Sequence, residues 1–190
     1  LAHGVIPLTL GGDHTLTWPI LRAIKKRHGP VALIHVDAHA DINDTMFGEK
    51  VAHGCPFRRA WEDGCLINDK VFQIGLRGTG YSPDDFDWGR EKGWTVVQAE
   101  ECWHKSLVPL MEKIRAQIGD APVYLSYDID SLDPAFAPGT GTVEVGAGPP
   151  RCTTLYCICG GRSDEAGPAL RVVVATSSSA ERSEERRVGK

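Results

Sequence analysis

Val31-Ala32-Leu33-Ile34-His35-Val36-Asp37-Ala38-His39-Ala40-Asp41 joins two kinds of sequence without a break. Val31 to Val36 is an apolar run interrupted only by His35, which suits a strand covered on both faces. Asp37 to Asp41 then alternates acid or histidine with alanine. In extended backbone alternate residues face one way, so the spacing predicts that Asp37, His39 and Asp41 converge on one point. A polar loop in which Asp41 merely turns the chain fits the same residues.

Outward from this stretch the pattern alternates strand and helix. Leu8-Thr9-Leu10 is a short extended run after Pro7, and Pro19 to Arg27 reads as an amphipathic helix stopped by Gly29-Pro30. Lys70 to Leu76 and Trp94 to Val97 are expected strands, with Asp84 to Lys92 a helical connection between them. Ser106 to Ile118 carries Leu107, Leu110, Met111, Ile114 and Ile118 at helical spacing, and Pro122 to Tyr127 is a further strand. Such alternation implies an α/β fold with a mostly parallel sheet flanked by helices. Ligands in such sheets bind beyond the carboxyl ends of the strands.

Two more strand ends carry chemistry. Asp128-Ile129-Asp130 follows Val123 to Tyr127, and paired carboxylates there repel unless a cation lies between them. Solvated acids in a turn are the plain alternative, and Asp133-Pro134 is assigned that role. Gly11-Gly12-Asp13-His14 follows the first strand, where Asp13 could cap the next helix. Together these segments supply His14, Asp37, His39, Asp41, Asp128 and Asp130. Two divalent ions would balance the four carboxylates, which would otherwise have to take up protons or stay hydrated. Oxygen-rich, sulfur-free donors favour manganese over a structural zinc site.

Gly-Gly-Asp-His at 11–14, Asp-Ala-His-Ala-Asp at 37–41 and Ser126-Tyr127-Asp128-Ile129-Asp130-Ser131-Leu132-Asp133-Pro134, in that order, resemble the ureohydrolase family of arginases, agmatinases and guanidino-acid hydrolases. The resemblance runs from Leu1 to about Glu144. It implies a three-layer arginase-like α/β fold and a pair of manganese ions. By that resemblance His14 and Asp41 would bind one ion, His39 and Asp130 the other, and Asp37 and Asp128 would bridge both. His53 resembles the family's proton-shuttle histidine; a loop histidine before Gly54 is the plainer reading.

The chemistry implied is hydrolysis of a guanidino group to urea and an amine. With two cations bound, water becomes a usable nucleophile near neutral pH, and Asp41 is placed to pass a proton to the leaving amine. Gly75-Leu76-Arg77-Gly78, Thr79-Gly80-Tyr81 and Asp84 to Trp88 resemble the agmatinase and guanidinobutyrase branch; arginases typically have aspartate where Gly78 stands. The expected substrate is therefore agmatine, giving putrescine, with guanidinobutyrate or another guanidino acid as the alternative. Other metal hydrolases of the same fold, and a catalytically dead chain that only assembles with active homologues, are the rival classes.

A formal net charge of −4 gives no reason to expect nucleic acid or an anionic membrane as partner. No apolar run approaches the roughly 20 residues that span a bilayer. The expected partners are a small guanidino substrate and further copies of the chain, in cytoplasm or mitochondrial matrix. Residues 1–145 are expected to be part of a catalytic domain of a longer protein, upstream of which any targeting segment would lie. Residues 146–181 read as a frame-shifted tail in which only Leu170 to Val174 looks strand-like, and 182–190 resemble a translated sequencing adaptor. On that reading the guanidinium-binding glutamate of a Gly-Asp-Leu-Val-Glu-like run is missing, and an unpaired sheet edge is exposed. Cys55, Cys65 and Cys102 are scattered and Cys152, Cys157 and Cys159 crowd the tail, which is no disulfide framework.

Overall fold

The computed structural model describes residues 7–78, 85–147 and the backbone of 171–176. The 79–81 motif, Asp84 and nearly all of the tail expectations lie outside those residues. Chain order is β1 (Leu8–Leu10), α1 (Thr17–His28), β2 (Val31–Val36), α2 (Pro56–Glu62), β3 (Leu66–Leu76), α3 (Asp85–Glu91), β4 (Thr95–Gln98), α4 (Ala99–Cys102), α5 (Val108–Ile118), β5 (Val123–Asp128) and β6 (Arg171–Thr176).

The six strands form one sheet in the order β1-β6-β5-β2-β3-β4, and every pairing is parallel. All strand ends that carry acids and histidines therefore lie along one edge. Beyond β2 the chain runs outward to β3 and β4, then returns to β5 on the other side of β2. The β2/β5 junction is the switch point where such sheets open a crevice.

Helices cover both faces, which makes three layers. Val31, Leu33 and Tyr124 pack with Leu21 and Ile24 of α1 and Phe57 and Ala60 of α2. Ala32, Ile34, Val36 and Leu125 pack on the opposite face with Ile114 and Ile118 of α5. β2 is buried along its whole length, as its apolar run requires. Phe57 is fully buried, and truncating such a ring costs about 3–5 kcal/mol.

Several boundaries differ from the sequence expectation. α1 begins at Thr17 because Pro19 sits in the first turn, where its missing N–H breaks no helical bond. Its end matches: Gly29, at φ 76°, donates to Lys25 O at 2.9 Å. β3 begins four residues before Lys70, and a register shift against β2 lets exposed Asn68 and Asp69 ride in a strand that reads as loop. The seven-residue α2 was not foreseen; Pro56 at its start is the one helix signal there. The strand expected at Leu170 to Val174 overlaps β6 (Arg171–Thr176), inserted between β1 and β5, so those two strands are not open to each other.

Candidate metal centre

Each of the three strand ends is turned by the same local device. Asp13 Oδ1 accepts from Thr15 N at 2.7 Å, Asp37 Oδ1 from His39 N at 2.7 Å, and Asp128 Oδ1 from Asp130 N at 3.1 Å. An aspartate that accepts from the backbone two residues on bends the chain as a turn would. Strand alternation is therefore not what gathers Asp37, His39 and Asp41: β2 stops at Val36, and Asp41 lies in the left-handed region at φ 52°. Aspartate tolerates that conformation better than most residues. Asp133 takes its expected turn role, accepting from Ala135 N at 3.0 Å and from Gly146 N at 2.9 Å.

The six expected residues come together around Asp37. His14 Nδ1 lies 2.6 Å from Asp41 Oδ2, 3.5 Å from Asp37 Oδ2 and 3.8 Å from Asp128 Oδ2. His39 Nδ1 lies 3.1 Å from Asp130 Oδ2 and 3.6 Å from Asp37 Oδ1. The two oxygens of Asp37 thus face two different histidines. His14 Nδ1 is buried and, among the described residues, has no partner in hydrogen-bond geometry, close as Asp41 is. A buried imidazole nitrogen ringed by three carboxylate oxygens is what a cation site requires, and the donor set suits a hard divalent ion.

The electrostatics of the cation-free chain agree. Burial alone would lower the His14 pKa, but Asp41, Asp37 and Asp128 push it up to about 9. Burial opposes His39 likewise, yet Asp130 and Asp37 carry it to about 11. Asp37 is held well below the usual carboxylate range: burial works against this, and His35, His39 and His14 outweigh it. Burial and the neighbouring Asp37 raise Asp130 to about 6, against the pull of His39 and Thr142. Protons fill the role that metal charge would take.

A cavity of about 260 Å³ opens onto the cluster, and all six residues line it together with His53, Phe47, Asp85 and Phe86. His53 Nδ1 is 4.0 Å from Asp13 Oδ2.

Sequence reasoning missed the groups that support the cluster. Ser126 Oγ lies 2.9 Å from His14 Nε2, and Thr142 Oγ1 donates to Asp130 Oδ2 at 2.8 Å. Glu144 Oε1 is 3.4 Å from His39 Nε2. His35 Nε2 lies 2.7 Å from Asp37 Oδ2. Burial of a histidine inside an apolar strand was the one visible signal among these. Gly78 also packs against the cluster: a Cβ there would collide with the His39 ring.

A parallel α/β sheet with a histidine–carboxylate cluster at its switch point defines a metal-capable site. The arginase family model matches residues 1–160, and the chain belongs to that family. It is 67% identical over 146 residues to a guanidinobutyrase of Pseudomonas aeruginosa, covering 77% of this chain and 46% of that protein. It is 57% identical to a mitochondrial agmatinase of Gallus gallus, covering 76% of this chain and 43% of the relative. The proclavaminate amidino hydrolase structure from Streptomyces clavuligerus superposes with a TM-score of 0.79 at 38% identity, over 90% of this chain and 56% of that one. The chain thus spans less than half the length of these curated relatives. No helix among the described residues is long and apolar enough to cross a membrane.

Proposed function

We propose that the intact protein hydrolyses a small linear guanidino compound to urea and an amine, using two manganese ions. The observation that carries this is Asp37, whose two oxygens face His14 and His39 separately. His14 and Asp41 would hold one ion, His39 and Asp130 the other, with Asp37 and Asp128 shared. The ions, when bound, supply the charge that makes water a usable nucleophile near neutral pH. Asp41 then accepts a proton at its carboxylate and passes it to the leaving amine. His53, on the cavity wall, exchanges protons with solvent.

The resemblance around Gly78 points to agmatine or a guanidino acid of similar length rather than arginine. The similarity to a guanidinobutyrase supports 4-guanidinobutyrate, which we place first, with agmatine second. Both lack arginine's α-amino-acid head. Urea release by a full-length version from these two compounds and from arginine is the test, and a clear preference for arginine would overturn the assignment. Asp128→Ala should lose both bound metal and urea release; full activity in a metal-stripped sample would refute the mechanism.

Residues 1–145 are read as the partial catalytic domain, 146–181 as frame-shifted and 182–190 as adaptor-derived. The family match runs through residue 160, past that boundary, so the division stands on the sequence pattern alone. Genomic sequence with an unbroken frame through Lys190 would remove it. The intact protein is proposed to be a homo-oligomer, testable by light scattering.

A further inference from the structure

His35 is fully buried on β2, directly opposite Gln73 of β3 in the strand register. Its ring centroid lies 4.2 Å from that of Phe57, which closes it off from the helical layer. His14, His35 and Asp37 are close enough to hold one ion between them, so His35 could be taken for a ligand. The hydrogen bonds exclude that.

Gln73 Nε2 is 2.7 Å from Ala40 O. A carbonyl only accepts, so this contact fixes which end of the amide carries the N–H groups. The same Nε2 lies 3.2 Å from His35 Nδ1, so Nδ1 must be the accepting, unprotonated nitrogen. The proton is then on Nε2, which lies 2.7 Å from Asp37 Oδ2 and donates to it. A nitrogen that carries a proton has no lone pair for a metal.

We propose that His35 is a positioning residue: a neutral imidazole, locked in the Nε2–H tautomer by Gln73, that holds the Asp37 carboxylate in the orientation shared by the two proposed ion sites. Asp37 Oδ1 is fixed independently by His39 N, so its two oxygens are tied by two different elements. Gln73 binds the Asp37–Asp41 loop as well, through Ala40 O, and couples β3 to the aim of the carboxylate. Groups that orient metal ligands in this way typically cost 10–100-fold in metal affinity when lost. The inference rests on the metal reading above.

The test uses the full chain with Mn²⁺ as probe. Histidine ¹⁵N NMR should show His35 protonated at Nε2 and unprotonated at Nδ1; a proton on Nδ1 overturns the proposal, whatever the variants do. H35F keeps an aromatic ring beside Phe57 and removes the donor. It should bind Mn²⁺ about 10–100-fold more weakly, with its cation-free circular dichroism unchanged. Q73L, which frees the tautomer, should also weaken binding. If the unsubstituted chain takes up no Mn²⁺, the metal reading itself fails. If it does, and H35F binds equally tightly, only the role of His35 is refuted.

Discussion

At the residue scale the cluster makes two predictions. With His14 at about 9 and His39 at about 11, both above the ordinary imidazole value, each carries a proton at pH 7 in the cation-free chain. A divalent ion needs those nitrogens bare, so binding should release protons and tighten as pH rises. Titration calorimetry in buffers of different ionisation enthalpy measures that release; identical heats in all buffers would contradict it. The same raised values favour the cation-free fold below the ordinary imidazole range, a contribution lost as pH climbs through about 9 and then about 11. The second prediction concerns Gly78, where a Cβ would meet His39 Nε2 at 2.6 Å and Ala38 O at 3.2 Å. G78A should cost about 1–3 kcal/mol and lower metal occupancy. A melting curve and metal stoichiometry equal to the parent's would show that the His39 ring yields freely.

At the element scale, Arg77 ties the end of β3 to the segment that follows β5. Its guanidinium donates to the carbonyls of Asp130 and Glu144 at 2.8 Å each, and its Nε to Val145 O at 3.0 Å. Gly75 O and Ser131 O accept from the same group at 3.2 and 3.3 Å. A planar fork can serve several carbonyls at once, whereas an ammonium is a point donor. Arg77→Lys should therefore cost about 2 kcal/mol and speed amide hydrogen exchange across residues 130–145 while leaving α1 and α2 unaffected. Uniform exchange changes would mean that Arg77 stabilises the whole fold rather than this segment.

For the whole molecule the weak point is the sheet border. β1 is the outermost strand beside β6, only three residues long, and Leu8 and Leu10 are 65% and 77% exposed. An apolar edge strand is a template for further pairing. Leu10→Lys should reduce self-association of this chain, followed by light scattering, without changing Mn²⁺ affinity. Unaltered association would place the sticky surface elsewhere.

The sequence by itself determined the α/β class, the β2 boundaries and the identity of the six clustered side chains. Each of these is a local matter: apolar runs, glycine and proline stops, and acids written at strand ends. The order of the strands was not legible, because parallel neighbours are joined through long connections that carry no pairing signal. Only the tertiary structure placed β5 beside β2, which brings Asp128 and Asp130 to Asp37 and His39. It also showed that aspartate-capped turns, not strand alternation, gather these side chains. His35 read as a blemish in an apolar strand, and its task became visible only once β3 set Gln73 opposite it. A tautomer is decided by the partner across the sheet, and that partner lies 38 residues away in the chain.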